Sequence, residues 1–461
     1  MNSEMDTRGP EVRMRRLLDA DSLHLITARD KSGMLAGIGN IDAQPVVVFA
    51  SDATIQGGAL GPEGAEVIVE AYKKAMGLGL PVIGIWHSGG ARLRDGVLSL
   101  NAFGSVFQAM ISASGKIPQL SLVLGPTAGG GAYGPALTDV VVLAPDGRIF
   151  VTGPDVVKSV TGESIDMAKL GGPDAHRRNS GVAHVITHSE EEAFQKIRTL
   201  TSLFAAQGKL AKVLEERDLG ALVPDAKKRT YEVHQLVEAL LDQEASIEFL
   251  PMWAPNIVTV LGRFGGRTVG VVANNPQHLG AALDSAAAEK AARFVRTCDS
   301  FGIPLIVLVD VPGFLPGAGQ EWEGAVRRGA KLLHAFGEAV VPRVTLITRK
   351  AYGGAYVAMN SRALGATKVF AWPSAEVSVM GAVAAVRILH RRLLADLPVE
   401  QRDVMELELA AKHDQISGGV ERAVEIGVVD EIILPTKTRN AIAKAISQAP
   451  QLRGAHGNIP L

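Results

Sequence analysis

Short apolar stretches alternate along the chain with longer segments in which apolar residues recur every three or four positions. Residues 46–50, 81–86 and 119–124 are nearly continuous apolar runs and predict buried strands. Residues 63–76 and 97–114 carry apolar side chains at helical spacing. Strands that are apolar on both faces and alternate with helices are typical of parallel sheets covered by helices. The pattern therefore predicts an α/β fold.

Other stretches predict elements that flank this pattern. Residues 34–41 and 46–50 lie on either side of a turn at residues 42–45 and predict a hairpin. Residues 1–24 and 385–412 carry polar and apolar residues in helical order, and each predicts a helical segment.

Two glycine-rich turns follow apolar strands at corresponding places. Residues 125–134 read Gly-Pro-Thr-Ala-Gly-Gly-Gly-Ala-Tyr-Gly, and residues 350–357 read Lys-Ala-Tyr-Gly-Gly-Ala-Tyr-Val. Glycines between a strand and a helix let the backbone turn sharply and leave amide N–H groups directed at a ligand. The pair predicts two places where backbone donors hold negative charge on an oxygen.

The turns belong to a longer internal repeat, in which one constant displacement relates the first half of the chain to the second. Corresponding pairs include Gly39 and Gly262, Pro81 and Pro304, and the two Gly-Gly-Ala-Tyr sequences at 130–133 and 353–356, with a one-residue adjustment near Pro118 and Pro342. The repeat predicts two homologous domains, residues 1–225 and 226–461. Their junction falls in the charged stretch 207–231, which predicts a solvated helix plus linker. The layout resembles crotonase-type (ClpP/crotonase) spiral ββα domains, and a doubly wound nucleotide-binding fold is the alternative.

Composition removes several classes of function. The 461 residues include 47 Lys and Arg and 48 Asp and Glu, so the charge balance gives no indication of nucleic acid or an anionic membrane as a partner. The single cysteine, Cys298, cannot form an internal disulfide or a thiolate zinc cluster, and a buried apolar role is expected for it. No signal-peptide h-region and no membrane-length apolar run is present, so a cytoplasmic protein is expected.

Several catalytic motifs are missing. The chain contains no P-loop, no His-Glu-x-x-His and no clear dinucleotide fingerprint after its first strand. Ser88 follows a strand, as the serine of a nucleophile elbow does, but Trp86 stands where the elbow needs glycine, and the repeat places Val311 opposite Ser88. The sequence thus predicts two oxyanion holes without an obvious side-chain acid, base or nucleophile, which suits substrates that supply their own proton acceptor.

Seven motifs resemble one family closely. They are Gly125-Pro-Thr-Ala-Gly-Gly-Gly-Ala-Tyr133, Phe150-Val-Thr-Gly-Pro-Asp-Val-Val157, Val160-Thr-Gly-Glu163, Asp310-Val-Pro-Gly-Phe-Leu-Pro-Gly317, Arg327-Arg-Gly-Ala-Lys331, Arg349-Lys-Ala-Tyr-Gly-Gly-Ala-Tyr356 and Ala371-Trp-Pro373. The family is the carboxyltransferase β subunit of biotin-dependent acetyl-/propionyl-CoA carboxylases. The compact N-terminus and the Asn458-Ile-Pro-Leu461 ending resemble the short actinobacterial β subunits.

The resemblance implies a fold, an activity and a set of partners. It implies a crotonase fold in each half and a ring-shaped homohexamer, with each active site between the N-domain of one subunit and the C-domain of its partner. It also implies transfer of CO2 from carboxybiotin to the α-carbon of a short acyl-CoA in lipid metabolism, with no metal in this chain. Because the biotin-carrier sequence Ala-Met-Lys-Met is absent, biotin would be carried on a separate α subunit with biotin carboxylase.

The resemblance also implies site residues. The amides of Gly129, Gly130 and Gly131 would hold the thioester oxygen, and those of Gly354 and Ala355 the ureido oxygen of biotin. The residues expected to bind the acyl-CoA are Ser88, Gly89, Gly90, Ala91, Arg92, Gly130, Gly131, Ala132 and Tyr133. The residues expected to bind carboxybiotin are Gly353, Gly354, Ala355, Tyr356 and Val357. Relatives of the propionyl type commonly have Asp where this chain has Val357, so the acyl length stays open.

Three alternatives remain at this stage. A membrane-linked, biotin-dependent decarboxylase would share the fold and the motifs. A non-catalytic acyl-CoA-binding protein would keep the turns without turnover, and a serine hydrolase would use Ser88.

Overall fold

The computed structural model describes residues 6–224, 226, 229–243, 245–417 and 419–460. It divides the chain into two compact units. Of the described residues, unit 1 contains those in the ranges 6–207, 246–253 and 454–460, and unit 2 contains those in the ranges 208–245 and 254–453. The domain boundary predicted between residues 225 and 226 stays a prediction, and residue 225 lies outside the described residues.

Unit 1 is built on a sheet whose strands are mostly parallel. Its strands are β1 His24–Leu25, β2 Met34–Ile41, β3 Gln44–Ser51, β4 Val82–Ser88, β5 Gln119–Ala128, β6 Val140–Leu143, β7 Arg148–Phe150 and β8 Val185–Ile186, and the unit also contains β9 Ser246–Phe249. Its helices are α1 Pro10–Leu17, α2 Pro62–Leu78, α3 Val97–Ala113, α4 Gly130–Ala136, α5 Pro154–Thr161, α6 Met167–Gly171, α7 Pro173–Ala175 and α8 Glu190–Ala205, and His176–Ser180 forms a π-helical turn.

The sheet of unit 1 has the order β1-β2-β3-β4-β5-β6-β8, and β7 pairs with β5 beyond β6. The β2–β3 hairpin is antiparallel, as predicted, and β3 to β6 are parallel. Asp42 and Ala43, the two residues between β2 and β3, both have positive φ, so the hairpin turn is tighter than predicted. Helices α2 and α3 cover one face of the sheet and bury an apolar core around Phe49, Tyr72 and Trp86.

Unit 2 repeats this arrangement. Its strands are β10 Ile257–Phe264, β11 Arg267–Asn274, β12 Leu305–Val311, β13 Arg343–Tyr352, β14 Lys368–Ala371, β15 Glu376–Ser378 and β16 Glu431–Ile432. Its helices are α9 Val233–Leu240, α10 Ser285–Ser300, α11 Ala318–Trp322, α12 Ala325–Glu338, α13 Gly353–Ala358, α14 Ala382–Leu389, α15 Arg391–Ala395, α16 Val399–Ser417, α17 Val420–Glu425 and α18 Thr438–Gln448.

The internal repeat is visible in the element bounds. The displacement that relates Gly39 to Gly262 also carries both ends of β2, β3 and β4 onto the ends of β10, β11 and β12. The sheet of unit 2 runs β16-β14-β13-β12-β11-β10, with β15 on β13 in the place that β7 takes on β5. Even an isolated bridge recurs, since Leu60 pairs with Ala91 and Leu283 pairs with Phe314. Each half of the repeat therefore forms its own layered α/β unit.

The displacement becomes one residue longer at Pro118, which matches Pro342, and it keeps the longer value at the glycine turn. Both ends of β5 are carried onto the ends of β13 by the longer displacement. Gly129 (φ +57°) and Gly353 (φ +59°) follow these strands directly and share the same unusual backbone conformation. The alignment of the two Gly-Gly-Ala-Tyr sequences was therefore wrong by one residue. The matching backbone triplets are 129–131 and 353–355.

Three local predictions need correction. The helix predicted over residues 385–412 is three helices, α14, α15 and α16, and Pro398 precedes the last because proline suits the first turn of a helix but not its interior. Among the described residues of the stretch 207–231 there is only a 3₁₀ turn, Gly220–Leu222, and no α-helix. Of the lead-in 1–24, the described part is helical only over α1, and residues 1–5 lie outside the described residues.

The loop that precedes α2 provides a test of the fold. A Cβ atom at Gly58 (φ +74°) would lie 1.8 Å from the carbonyl oxygen of His87, whereas one at Gly57 (φ +62°) would meet nothing within 4 Å. Gly57→Ala should lower the free energy of unfolding by about 1–2 kcal/mol, the cost of a left-handed alanine. Gly58→Ala adds a backbone clash and should cost roughly 3 kcal/mol or more. Chemical denaturation of both variants measures the difference, and equal losses would contradict this packing.

Candidate functional site

The first glycine turn joins β5 to α4. The N–H of Gly129 donates to the carbonyl oxygen of Phe150 at 3.1 Å, and that of Ala132 donates to the carbonyl of Gly129 at 3.1 Å. Gly130 and Gly131 are the first residues of α4, where N–H groups have no carbonyl one turn earlier to bond. The amide role predicted for Gly129 conflicts with its bond to Phe150. Gly129 instead supplies the positive φ that turns the next two amides outward.

The first turn is packed closely from behind. A Cβ atom at Gly130 would lie 3.1 Å from the ring of Phe103 on α3. A Cβ atom at Gly131 would lie 3.0 Å from Ser88 Oγ, and Gly131 is buried. Glycine at both positions thus brings the backbone against these side chains, and this packing fixes where the amides of the turn point.

The segment 88–92 lies beside this turn. Ser88 is buried, and its Oγ accepts a hydrogen bond from the N–H of Gly90 at 3.2 Å. Gly90 has a positive φ, and a Cβ atom there would lie 3.2 Å from the carbonyl oxygen of Ala128, the last residue before Gly129. Loop 88–92 and the first turn are therefore neighbours, although they are distant in sequence.

Arg92 is occupied by the fold around it. Its Nε donates to the carbonyl oxygen of Ala59 at 3.1 Å, and its Nη2 donates to the carbonyl of Ser32. Nη1 lies 3.6 Å from a carboxylate oxygen of Glu63. These bonds hold the 88–92 loop to the start of α2, so Arg92 acts in this structure as a brace of the loop.

The second glycine turn joins β13 to α13 and is more open. Gly354 and Ala355 follow Gly353 at the start of α13, so their N–H groups also precede the first intrahelical bonds. A Cβ atom at Gly354 would meet nothing within 4 Å, and Gly354 is exposed. The side of the turn that a Cβ atom at Gly354 would face is therefore open.

The corrected register changes which side chains of the two turns stand at matching positions. Tyr133 and Val357 stand at matching positions, and both are partly exposed, at 49% and 41%. Ala132 and Tyr356 also match, and both are buried. The sequence alignment pairs the two tyrosines, whereas the fold places the Tyr133 ring at the surface and the Tyr356 ring in the interior. Tyr356 is thus buried at the second turn, and the contact with biotin predicted for it stays a prediction.

The two units have different residue pairs at matching positions near the glycine turns, and sequence reasoning missed this difference. His87 lies near the end of β4 in unit 1, and its ring lies on Gly125, where a Cβ atom would be 2.2 Å from Nδ1. The matching residues of unit 2 are Asp310 and Arg349, whose Nε and Oδ2 lie 3.3 Å apart. Asp310 also accepts the backbone N–H of Lys350 at 3.2 Å. Residues 125 and 349 could have been matched from the sequence by keeping the longer displacement of Pro118 and Pro342 through β13.

Burial governs the electrostatics of these groups. It raises the pKa of Asp310, and the charge of Arg349 opposes that rise. Burial lowers the pKa of His87 to about 4, with smaller contributions from Arg13 and Arg8, so His87 is neutral at pH 7. Among the described residues, Nδ1 of His87 has no hydrogen-bond partner.

The described residues contain neither a metal-binding cluster nor a membrane-spanning helix. In residues 6–460, outside the gaps given above, no cluster of His, Cys, Asp and Glu side chains is arranged to hold a metal ion. Over the same residues, no helix has both the length and the apolar composition needed to cross a membrane.

The pKa of His87 predicts a pH dependence of stability. The unfolded chain binds a proton at His87 near the ordinary value of 6.5, and the folded chain does so only near 4. Between these values the unfolded state carries more protons, so stability falls as the pH drops from about 6.5 to about 4. The free energy of unfolding of His87→Gln should therefore fall less steeply than that of the unchanged protein in this window. Denaturant titrations at several pH values measure this, and parallel curves would contradict the buried, neutral imidazole.

Comparison with known proteins places the chain in a family. The carboxyl transferase domain family matches residues 19–453. A biotin-dependent acetyl-/propionyl-coenzyme A carboxylase beta6 subunit of Mycobacterium tuberculosis is 56% identical, with 100% of this chain and 98% of the relative covered. A propionyl-CoA carboxylase beta chain of Rhodococcus erythropolis is 54% identical at the same coverage.

A solved structure extends the match to three dimensions. Transcarboxylase 12S, a hexamer crystallised with methylmalonyl-coenzyme A and methylmalonic acid, superposes with a TM-score of 0.92 and 37% identity, covering 99% of this chain and 93% of that one. The prediction of two crotonase-like domains is thereby confirmed. From its sequence, its duplicated units and this superposition, the chain belongs to the carboxyl transferase family.

Proposed function

We propose that this protein is the carboxyltransferase subunit of a biotin-dependent acyl-CoA carboxylase. It moves CO2 from carboxybiotin to the α-carbon of a short-chain acyl-CoA, giving malonyl-CoA from acetyl-CoA or methylmalonyl-CoA from propionyl-CoA. The observation that carries the proposal is the duplicated glycine turn, whose leading amides come before the first intrahelical hydrogen bonds, in a chain that matches acetyl-/propionyl-CoA carboxylase β subunits over its full length.

The first turn is assigned to the acyl-CoA. The N–H groups of Gly130 and Gly131 hold the thioester oxygen as it gains negative charge during removal of the α-proton. Phe103 and Ser88 pack behind these residues and keep their amides in place before the charge develops. A preorganised donor of this kind contributes about 2.7–4 kcal/mol to lowering a barrier. Loop 88–92 lies beside the turn and forms part of the same binding surface.

The second turn is assigned to biotin. The N–H groups of Gly354 and Ala355 hold the ureido oxygen, and the open space at Gly354 fits a flat ring brought close to the backbone. Carboxybiotin supplies the CO2 and a ureido nitrogen that takes the α-proton, which accounts for a site without a side-chain base. Gly353 sets the direction of the turn, and Val357 stands at its mouth.

The partners follow from the same proposal. An α subunit with biotin carboxylase and the biotin carrier delivers carboxybiotin, and the relatives named as β subunits of biotin-dependent carboxylases support this division of labour. The assembly is a homohexamer, as in transcarboxylase 12S. The predicted meeting of the two turns across a subunit boundary stays a prediction. The enzyme works in the cytoplasm, and the preferred acyl length is left open by Val357.

The reverse reaction tests the activity without the α subunit. Purified oligomer is incubated with malonyl-CoA or methylmalonyl-CoA and free biotin, and CO2 release is measured. Turnover that depends on biotin supports a carboxyltransferase. A folded oligomer that binds acyl-CoA but shows no biotin-dependent turnover with either substrate would falsify the proposal. That result would favour a non-catalytic acyl-CoA-binding protein.

The opening at Gly354 gives a sharp prediction for the second turn. Gly354→Val places a side chain where no neighbour lies within 4 Å, so the protein should fold with unchanged stability. The side chain fills the space assigned to biotin, and turnover should fall by about 100-fold or more, the effect of losing an oxyanion donor. Calorimetry should show unchanged acyl-CoA affinity.

Gly77→Val is the matched control for this experiment. Gly77 lies on the exposed face of α2, also with no neighbour within 4 Å, and its replacement should leave turnover intact. If Gly354→Val weakens acyl-CoA binding instead, the assignment of substrates to the two turns is reversed.

Ser88 distinguishes the proposal from serine hydrolysis. Its buried hydroxyl bonds the N–H of Gly90 and packs on Gly131. Ser88→Ala should lower turnover by less than about tenfold, because one neutral hydrogen bond contributes about 1 kcal/mol. A nucleophilic serine would cost several orders of magnitude. Steady-state rates of the two proteins decide between these outcomes.

A further inference from the structure

The second glycine turn carries a side-chain bond that the first turn lacks. Tyr352 is the last residue of β13 and directly precedes Gly353. Its hydroxyl donates a hydrogen bond to the carboxylate of Glu376, the first residue of β15. Strand β15 runs parallel to β13, with Lys350 opposite Glu376 and Tyr352 opposite Ser378. The bond thus crosses the two strands diagonally, beside the turn.

The backbone of the turn lies close to the segment that this bond holds. A Cβ atom at Gly353 would lie 2.9 Å from the carbonyl oxygen of Val379, which follows β15. A Cβ atom at Gly381 would lie 3.6 Å from the Tyr352 ring. Any movement of β15 relative to β13 would therefore displace the residues against which Gly353 packs.

The matching positions of unit 1 are chemically different. Ala128 stands where unit 2 has Tyr352, and Arg148 stands where it has Glu376. The side chain of Ala128 has no group that could form a hydrogen bond with Arg148. The Nη1 of Arg148 donates instead to the carbonyl oxygens of Pro145 and Gly147 at 2.6 and 2.7 Å. The first turn packs against Phe103 and Ser88, whereas a Cβ atom at Gly354 would have no neighbour within 4 Å.

We propose that the Tyr352–Glu376 hydrogen bond is a positioning device for the second turn, which holds the amides of Gly354 and Ala355 in place for the ureido oxygen of biotin. This inference rests on the proposed function. Tyr352 and Glu376 act through the turn and do not touch the reacting atoms. Their loss should affect the use of biotin and leave the use of acyl-CoA unchanged.

The experiment uses the full-length oligomer in the reverse reaction, with free biotin and malonyl-CoA or methylmalonyl-CoA. Tyr352→Phe should lower kcat/KM for biotin by about tenfold, equivalent to about 1.4 kcal/mol, with the KM for acyl-CoA changed by less than twofold. Glu376→Gln should lose less, because its amide oxygen still accepts from the phenol. The double variant should equal Tyr352→Phe, since that change already removes the hydrogen bond that Glu376→Gln only weakens.

Glu421→Gln is the matched control, because Glu421 lines the same cavity as Tyr352 and Glu376. It should leave both substrate dependences unchanged. Melting temperature and oligomer size are measured for each protein, and Glu376→Gln carries the test if Tyr352→Phe does not assemble. Unchanged biotin kinetics in the variants, or equal losses for biotin and acyl-CoA, would overturn the positioning role. If the protein without any substitution shows no biotin-dependent turnover, the proposed function itself is overturned, and this inference with it.

Discussion

A glycine in a left-handed conformation at the end of a buried strand is the constraint on which each candidate site depends. Gly129 and Gly353 have φ values of +57° and +59°, where a residue with a Cβ is strained. The strand before each is held in register by neighbouring parallel strands, so the chain must turn within one residue. The next residues begin a helix before any carbonyl is available to them. The two leading amides are thus left for a ligand.

Duplication gives the protein two such turns, and the two have different surroundings. In unit 1 the backbone lies against Phe103 and Ser88, and a Cβ atom at position 130 or 131 would be in tight contact with one of them. In unit 2 position 354 is open, Ala355 replaces the third glycine, and a tyrosine–glutamate bond ties the neighbouring strands. One backbone device can therefore serve two carbonyl-type oxygens of different substrates, because the backbone supplies the donors and the side chains determine what fits.

The exchange of His87 and Gly125 for Asp310 and Arg349 shows how the copies diverged. The His87 ring leaves no space for a side chain at position 125, and a buried carboxylate such as Asp310 needs a cation. Neither pair could change one residue at a time without leaving a clash or an unpaired charge. The strand bounds thus match in the two units, while the side chains at these positions differ.

Periodicity and repetition in the sequence were sufficient for the α/β class, the hairpin, the main strands and the two homologous units. The order of apolar residues directly indicates which strands are buried and which helices are amphipathic. The motifs were also sufficient to predict the family. Glycines at positions where the backbone disfavours a Cβ atom form a recognisable sequence pattern. The breaks within the helical stretch 385–412 were harder to predict. The residues before and after each break have helical character, so the apolar pattern shows no interruption there.

Tertiary structure decided between two registers of the glycine turns that the sequence allows. Identical Gly-Gly-Ala-Tyr letters favoured one alignment, whereas hydrogen bonding between strands set another, one residue away, with Tyr133 exposed and Tyr356 buried. It also decided that the amide of Gly129 is occupied by Phe150, and that Tyr352 reaches Glu376. These facts depend on which strands are neighbours. A linear sequence carries no direct record of that, because the contacts join residues far apart in the chain.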